Sequence, residues 1–182
     1  MMDLIASALL GCYEIRPSVS EDVRGRFVKV FHAPSFASRG LETQFPEEYY
    51  TVSKEGVARG MHFQLPPHEH VKLIYVVQGA VMDVVLDLRA GSPSFGQAAI
   101  FELSAAAANM VYVPRGFAHG FFVRSGTATM IYRVSTVYAP EHDAGVLWSS
   151  VNVPWPDRNP LLSERDRGFP VLQRFNSPFR YA

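Results

Sequence analysis

Six histidines occur in the 182-residue chain, and three of them, His62, His68 and His70, fall inside GMHFQLPPHEHVKL at positions 60–73, with Lys72 close behind. Two chemistries fit that density. The imidazoles can gather a metal ion, or one of them can act as a general base while the lysine ammonium stabilises the charge that proton abstraction creates. His68 and His70 are two apart, which on a strand puts both rings on one face, and His119 in PRGFAH (114–119) offers a third ligand. Against the metal, the positions four and five after His70, where an HxH…PxGxxH metal site carries a glutamate, hold Ile74 and Tyr75, and Pro66 and Pro67 make a loop as consistent as a strand. Two histidines with a distant third are a poor set for tight zinc or iron binding. The base reading uses His62, two residues after Gly60 at the start of an expected strand, where its side chain can point into the mouth of a barrel. The residues alone name no reaction.

The elements that must position these groups are short and β-rich. VKLIYVVQGAVMDVVLDL (71–88) reads as two strands meeting near Gln78 and Gly79, rich in β-branched residues. Further strands are expected at AAIFEL (98–103), NMVYVP (109–114), AHGFFV (118–123) and ATMIYRVS (128–135), separated by the turn signals GSPSFG, PRG and RSGT. HAPSFASRG (32–40) suits one short helix, whereas SAAAAN (104–109) is too short and too hemmed in to be one. The pattern predicts an all-β sandwich or closed barrel in one domain over residues 1–182. From Val153 the composition shifts to PWPDRNPLLSERDRGFP, read as an irregular tail (153–182) laid over the barrel and able to deliver a polar residue to its mouth.

Seventeen basic and seventeen acidic residues cancel, which leaves no electrostatic footprint for nucleic acid or an anionic membrane. A small molecule is therefore the expected partner. Cys12 is alone, so no intramolecular disulfide forms, and a reducing cytoplasm fits. LLGC at 9–12 has the look of a lipoprotein cleavage site, but Asp3 stands where a basic region belongs and the apolar run from Leu4 to Leu10 is short. The reading adopted is a first strand over Leu9–Ile15. No apolar run approaches the ~20 residues that span a bilayer.

Seven segments together resemble the dTDP-4-dehydrorhamnose 3,5-epimerases, cupin-fold enzymes acting on nucleotide-linked 4-keto sugars. They are DVRGRF (22–27), RGMHFQ (59–64), KL followed by G-x-V-x-D-V-x-x-D-L-R (72–89), SPSFG (92–96), VPRGFAHGF (113–121), IYRVS with YAPEHDAGVLW (131–148), and LSERD with FP (162–170). The resemblance implies a cupin-type jelly roll that removes a proton beside the C4 ketone, holds the enolate and returns a proton to the opposite face of the ring. It implies His62 as base, Asp166 as the carboxylate that orients it, Tyr132 as the acid, and Lys72 and His119 around the C4 oxygen and sugar. It further implies substrate contacts from Arg24, Arg59, Tyr138 and Gln64, no metal or organic cofactor, and a homodimer.

The departures from the family pattern cluster. Lys29 stands where a glutamate is usual, and Glu47 and Tyr49 where a Gln-x-Asn pair is usual, all at positions that contact the thymine base in family members. His70, Tyr75 and Val137 also differ, in a combination resembling a side branch that includes epimerases of GDP-linked 4-keto heptoses. The expectation is an intact catalytic centre with a rewritten nucleotide pocket, taking dTDP, GDP or another nucleotide. Two alternatives stay open: a metal-dependent oxygenase or isomerase using His68, His70 and His119, and a non-catalytic sugar-nucleotide binding protein.

Overall fold

A computed structural model of the chain describes residues 2–181. The early strands are β1 (Asp3–Ala6), β2 (Tyr13–Arg16), β3 (Val19–Asp22) and β4 (Gly25–Val28), followed by helix α1 (Ala33–Ala37). The body comprises β5 (Glu47–Lys54), β6 (Ala58–Gln64), β7 (Lys72–Gln78), β8 (Ala80–Asp87), β9 (Ala98–Ser104), β10 (Met110–Val113), β11 (Phe117–Val123) and β12 (Thr127–Val134). Strand β13 (Asp143–Gly145) and helix α2 (Glu164–Arg167) lie beyond it. Six strands form one antiparallel sheet in the order β1-β2-β10-β7-β12-β5, and five form a second in the order β13-β6-β11-β8-β9. Strands β3 and β4 make a separate hairpin. This is the all-β jelly roll expected from the sequence, with the short helix inside residues 32–40 and a turn over residues 105–108.

The two strands foreseen around Gly79 are real but do not pair with each other: β7 belongs to the first sheet and β8 to the second. Gly79 is where the chain changes sheet. Its φ is +79°, and a Cβ there would stand 2.1 Å from the Thr127 carbonyl oxygen, so only glycine fits. The first strand differs from expectation. Leu9 to Gly11 form a turn, with the Cys12 amide donating to the Leu9 carbonyl at 3.0 Å and Gly11 at φ +88°, so the expected strand over Leu9–Ile15 begins only at Tyr13.

Strands β7, β8 and β11 are apolar on both faces because both are covered. Between the sheets lie Ile74, Val76, Val81, Val85, Phe121, Val123 and Met130. On the far side of the five-stranded sheet, Met61, Phe63, Met82, Val84 and Leu86 pack against Val151 and tail residues Leu162, Phe175 and Phe179. Phe179 is 5% exposed and meets the Phe63 ring edge-on at 5.7 Å; burying a phenylalanine is worth about 1.5–3 kcal/mol, so such contacts hold the tail down. The tail is also tied by backbone hydrogen bonds from Ala58 to Leu161 and from Leu147 to Pro170. No helix of the described residues is long and apolar enough to cross a membrane.

Candidate active site

One end of the barrel opens into a cavity of about 370 Å³ lined from both sheets. The two-residue period of a strand sends alternate side chains inward, and on β5, β11 and β12 that period selects the lining: Glu47, Tyr49 and Thr51 from β5, His119 and Phe121 from β11, and Tyr132 and Val134 from β12. They are joined by Lys72 from β7 and, out of strict alternation, Arg59, His62, Phe63 and Gln64 from β6. His62 stands on the five-stranded sheet and Tyr132 on the six-stranded sheet, so a molecule between them meets the two groups from opposite sides.

His62 is the fifth residue of β6, not the start of a strand as expected. Its Nε2 lies 2.9 Å from Asp166 Oδ1, and Asp166 Oδ2 accepts from the Gly60 amide at 3.1 Å. Asp166 comes from α2, whose N-cap is Ser163: the Ser163 hydroxyl accepts the Asp166 amide at 3.1 Å. The carboxylate therefore is not the helix cap and is free to face the histidine. Burial opposes the Asp166 charge, but hydrogen bonds from His62, Gly60 and Ser163 outweigh it and hold the carboxyl below its usual range. Burial likewise pulls His62 below 6.5, with Asp166 working in the opposite direction. A carboxylate on Nε2 fixes the tautomer with the proton there and leaves the Nδ1 lone pair to act as a base.

Lys72 is 5% exposed, and its Nζ donates to the His62 carbonyl at 3.3 Å. Burial pushes its ammonium down to about 8, against the pull of Asp143 and Asp83. Tyr132 is buried at 5% exposure, and burial pushes its phenol well above the ordinary value. His119 is fixed by Asp83, Nε2 to Oδ2 at 2.7 Å, and stands beside His62 in the β6–β11 register. Arg59 donates from Nε to the Ser53 hydroxyl at 3.0 Å while its side chain lines the cavity. At the mouth, the Tyr138 hydroxyl donates to Asp143 at 3.1 Å, and Asp143 also takes Arg165 at 2.6 Å.

Three side chains on the wall are engaged with the protein. Gln64 donates to the His68 carbonyl at 2.8 Å and accepts from the Ala139 amide at 2.7 Å, tying two loops together. Glu47 accepts from the Tyr138 amide at 2.7 Å. Tyr49 lies flat against the Tyr132 ring, with centroids 4.9 Å apart. Arg24 and Lys29 stand elsewhere in the chain. Arg24 pairs with Asp22 at the exposed tip of the β3–β4 hairpin, and Lys29 lines a separate cleft with His32 and Arg39.

The metal alternative loses its geometry. His68 and His70 lie in a loop between β6 and β7, not on a strand. His68 packs on the His142 ring with centroids 4.4 Å apart, while His119 is taken by Asp83. Burial and the Lys72 charge hold His70 down to about 3, although the Thr136 backbone opposes them. Among the described residues no three side chains gather as a metal would require.

Sequence reasoning missed Asp83, Asp143 and Arg165. Asp83 had a signal: a carboxylate in the middle of VMDVV, where a buried strand tolerates a charge only with a partner. Asp143 and Arg165 are brought together only when the tail folds over β13, which no local pattern announces.

The family model described as dTDP-4-dehydrorhamnose 3,5-epimerase matches residues 6–174. An enzyme of that name from Shigella flexneri is 38% identical over 168 residues, covering 91% of this chain and 93% of its own. A dTDP-4-dehydrorhamnose 3-epimerase from Streptomyces niveus is also 38% identical, over 160 residues, covering 86% of this chain and 77% of its own. Among solved structures, a dTDP-6-deoxy-D-glucose-3,5-epimerase from Legionella pneumophila Philadelphia 1 in complex with dTDP-4-keto-L-rhamnose superposes with a TM-score of 0.95, at 31% identity and complete coverage of both chains.

Proposed function

The chain belongs to the dTDP-4-dehydrorhamnose 3,5-epimerase family and is an isomerase, and from that premise we propose that it inverts C3, C5 or both in a dTDP-linked 4-keto-6-deoxy sugar, using His62 as base and Tyr132 as acid. The observation that carries this reading is the placement of the His62–Asp166 pair and Tyr132 on opposing sheets across one cavity. Inversion needs a donor on the face opposite the one that lost its proton, and a base and acid on a single sheet would not supply it.

The steps follow from the groups. The C4 ketone acidifies its neighbouring carbons. His62 Nδ1 takes the proton, the C–H electron pair moves into the enolate, and the ammonium of Lys72 faces the developing oxyanion, as His119 does from the neighbouring strand. Tyr132 then gives its proton to the other face, the resulting phenolate regains one from solvent, and the imidazolium of His62 releases its proton to solvent. The ketone is regenerated, so the chemistry is complete with protein side chains alone. Arg59, Arg165 and Tyr138 at the mouth are suited to the diphosphate, guanidinium forks matching phosphate oxygens.

Arg24 and Lys29 are assigned to the nucleotide of a second copy's site. The hairpin that carries Arg24 exposes Val23 and Phe27, and the edge strand β5 exposes Tyr50 and Val52, apolar surface that a homodimer would cover. The lone cysteine, Cys12, buried and free, fits a reducing cytoplasm.

Deuterium incorporation from D₂O, with dTDP- and GDP-linked 4-keto sugars side by side, tests the reading. The dTDP sugar is expected to take up deuterium at each inverted centre. His62→Asn should abolish that uptake while leaving dTDP binding within about two-fold, since it removes a group acting on the transition state. Undiminished exchange in this variant would show that another group is the base, and no exchange in the parent protein would favour a binding protein.

A further inference from the structure

Tyr132 has little to hold its hydroxyl in place. Among the described residues that hydroxyl makes one hydrogen bond, to the Met130 sulfur at 3.6 Å, a weak acceptor. The Thr51 hydroxyl, buried beside it with no other partner, adds only a marginal hydrogen-bonding contact to the phenol. The phenol is therefore aimed by its ring contacts. His119 meets the ring edge-on, with centroids 5.9 Å apart and planes at 75°. Tyr49 covers its face, with planes within 14° and centroids 4.9 Å apart.

Register puts Tyr49 there. In the β5–β12 ladder Tyr49 stands directly opposite Tyr132, the arrangement in which cross-strand aromatic rings touch. Strand β5 is the edge of its sheet, so one residue on an edge strand supplies a whole face of the proposed acid. Burial pushes the Tyr49 hydroxyl up to about 12, so at neutral pH the stack is two uncharged rings.

We propose that Tyr49 is a positioning residue for the inversion step: its ring, stacked on Tyr132, holds the phenol where it can protonate the sugar on the face away from His62. This rests on Tyr132 being the acid. Once His62 has taken a proton, the enolate has two fates. His62 can return a proton to the same face, giving exchange with solvent but no inversion. Tyr132 can deliver to the opposite face, forming the new C–H bond and leaving a phenolate that solvent reprotonates. A displaced phenol loses the second route and leaves the first intact.

The experiment measures, in D₂O with a dTDP-linked 4-keto-6-deoxyhexose, deuterium in recovered substrate against deuterium in inverted product. Tyr49→Ala and Tyr49→Leu should raise the ratio of exchange to inversion by roughly ten- to a hundred-fold, the scale on which a small misplacement of a reacting group acts. Tyr49→Phe keeps the ring and should stay within about two-fold of the parent ratio. Circular dichroism and a dTDP titration identify any variant that fails to fold, and using two small replacements guards against that loss. An unchanged ratio in a folded Tyr49→Ala or Tyr49→Leu, even with a raised KM, would overturn the proposal and leave Tyr49 as cavity wall. So would a Tyr49→Phe ratio matching Tyr49→Ala, because the hydroxyl would then matter and not the stack. Tyr132→Phe is the separate control: if it leaves the ratio at the parent value, the acid itself has been misassigned.

Discussion

At neutral pH two of the proposed catalytic groups must hold opposite states: His62 neutral to accept a proton, Lys72 charged to face the oxyanion. Their surroundings supply both. Burial lowers His62 from 6.5 and so keeps the base available into mildly acidic solution, while Lys72, pushed down to about 8, begins to lose its charge just above neutrality. The expected kcat/KM profile is a bell with its acid edge below 6.5 and its alkaline edge near 8. Lys72→Met should lower kcat by roughly a hundred- to a thousand-fold and abolish the alkaline edge. Lys72→Arg should shift that edge upward, since a guanidinium stays charged. A parent profile that stays flat well above pH 8 would show that this charge is not required. His62, Lys72 and His119 stood out as residues because histidines and a lysine cluster in two short motifs, whereas Tyr132, Asp166 and Arg59 were singled out only through the family resemblance. The stack of Tyr49 on Tyr132 was not legible. It depends on which residue of β5 faces which residue of β12, and Tyr49 read from sequence belonged to the nucleotide.

The strand that carries the base is also the one where two backbones come closest. Gly60 has φ +133°, a Cβ there would stand 2.5 Å from the Gly120 Cα on β11, and its amide donates to Asp166. Gly60→Ala must therefore force β6 and β11 apart or turn the peptide away from the carboxylate. The expected cost is about 2–4 kcal/mol in a denaturant titration. The folded fraction should also lose turnover, because displacing the Gly60 amide disturbs the carboxylate that aims His62. A variant with the parent midpoint and parent turnover would contradict this close approach. Element by element, the strands from residue 71 to 135 were readable because β-branched runs and turn residues alternate there. What period and propensity could not give was partition between sheets: β7 and β8 are continuous in sequence and separate in space. The HEH segment failed as a strand for a local reason. Pro66 and Pro67 precede it, neither has an amide to give a ladder, and the chain stays in a loop until Lys72.

At the scale of the whole molecule, the cavity of one chain lacks two residues that the family resemblance places against the nucleotide. Arg24 sits at an exposed hairpin tip, and Lys29 lines another cleft. If a second copy supplies them, the two halves of a site can be separated by mutation and recombined by mixing. Arg24→Ala, losing a charge-assisted contact, should raise KM about ten-fold or more, and His62→Asn should be inactive. In a co-expressed mixture, half of the dimers pair one of each chain. One site of such a dimer takes His62 from the Arg24→Ala chain and Arg24 from the His62→Asn chain, so about a quarter of all sites are whole. Turnover at low substrate should then recover to about that fraction of the parent value. If Arg24 instead acts within its own chain, no site in the mixture holds both residues and nothing is recovered beyond the Arg24→Ala contribution. Sedimentation of the same samples separates the cases: a dimer without recovery places the hairpin away from the partner's nucleotide, while a monomer leaves Arg24 and Lys29 with no site to complete.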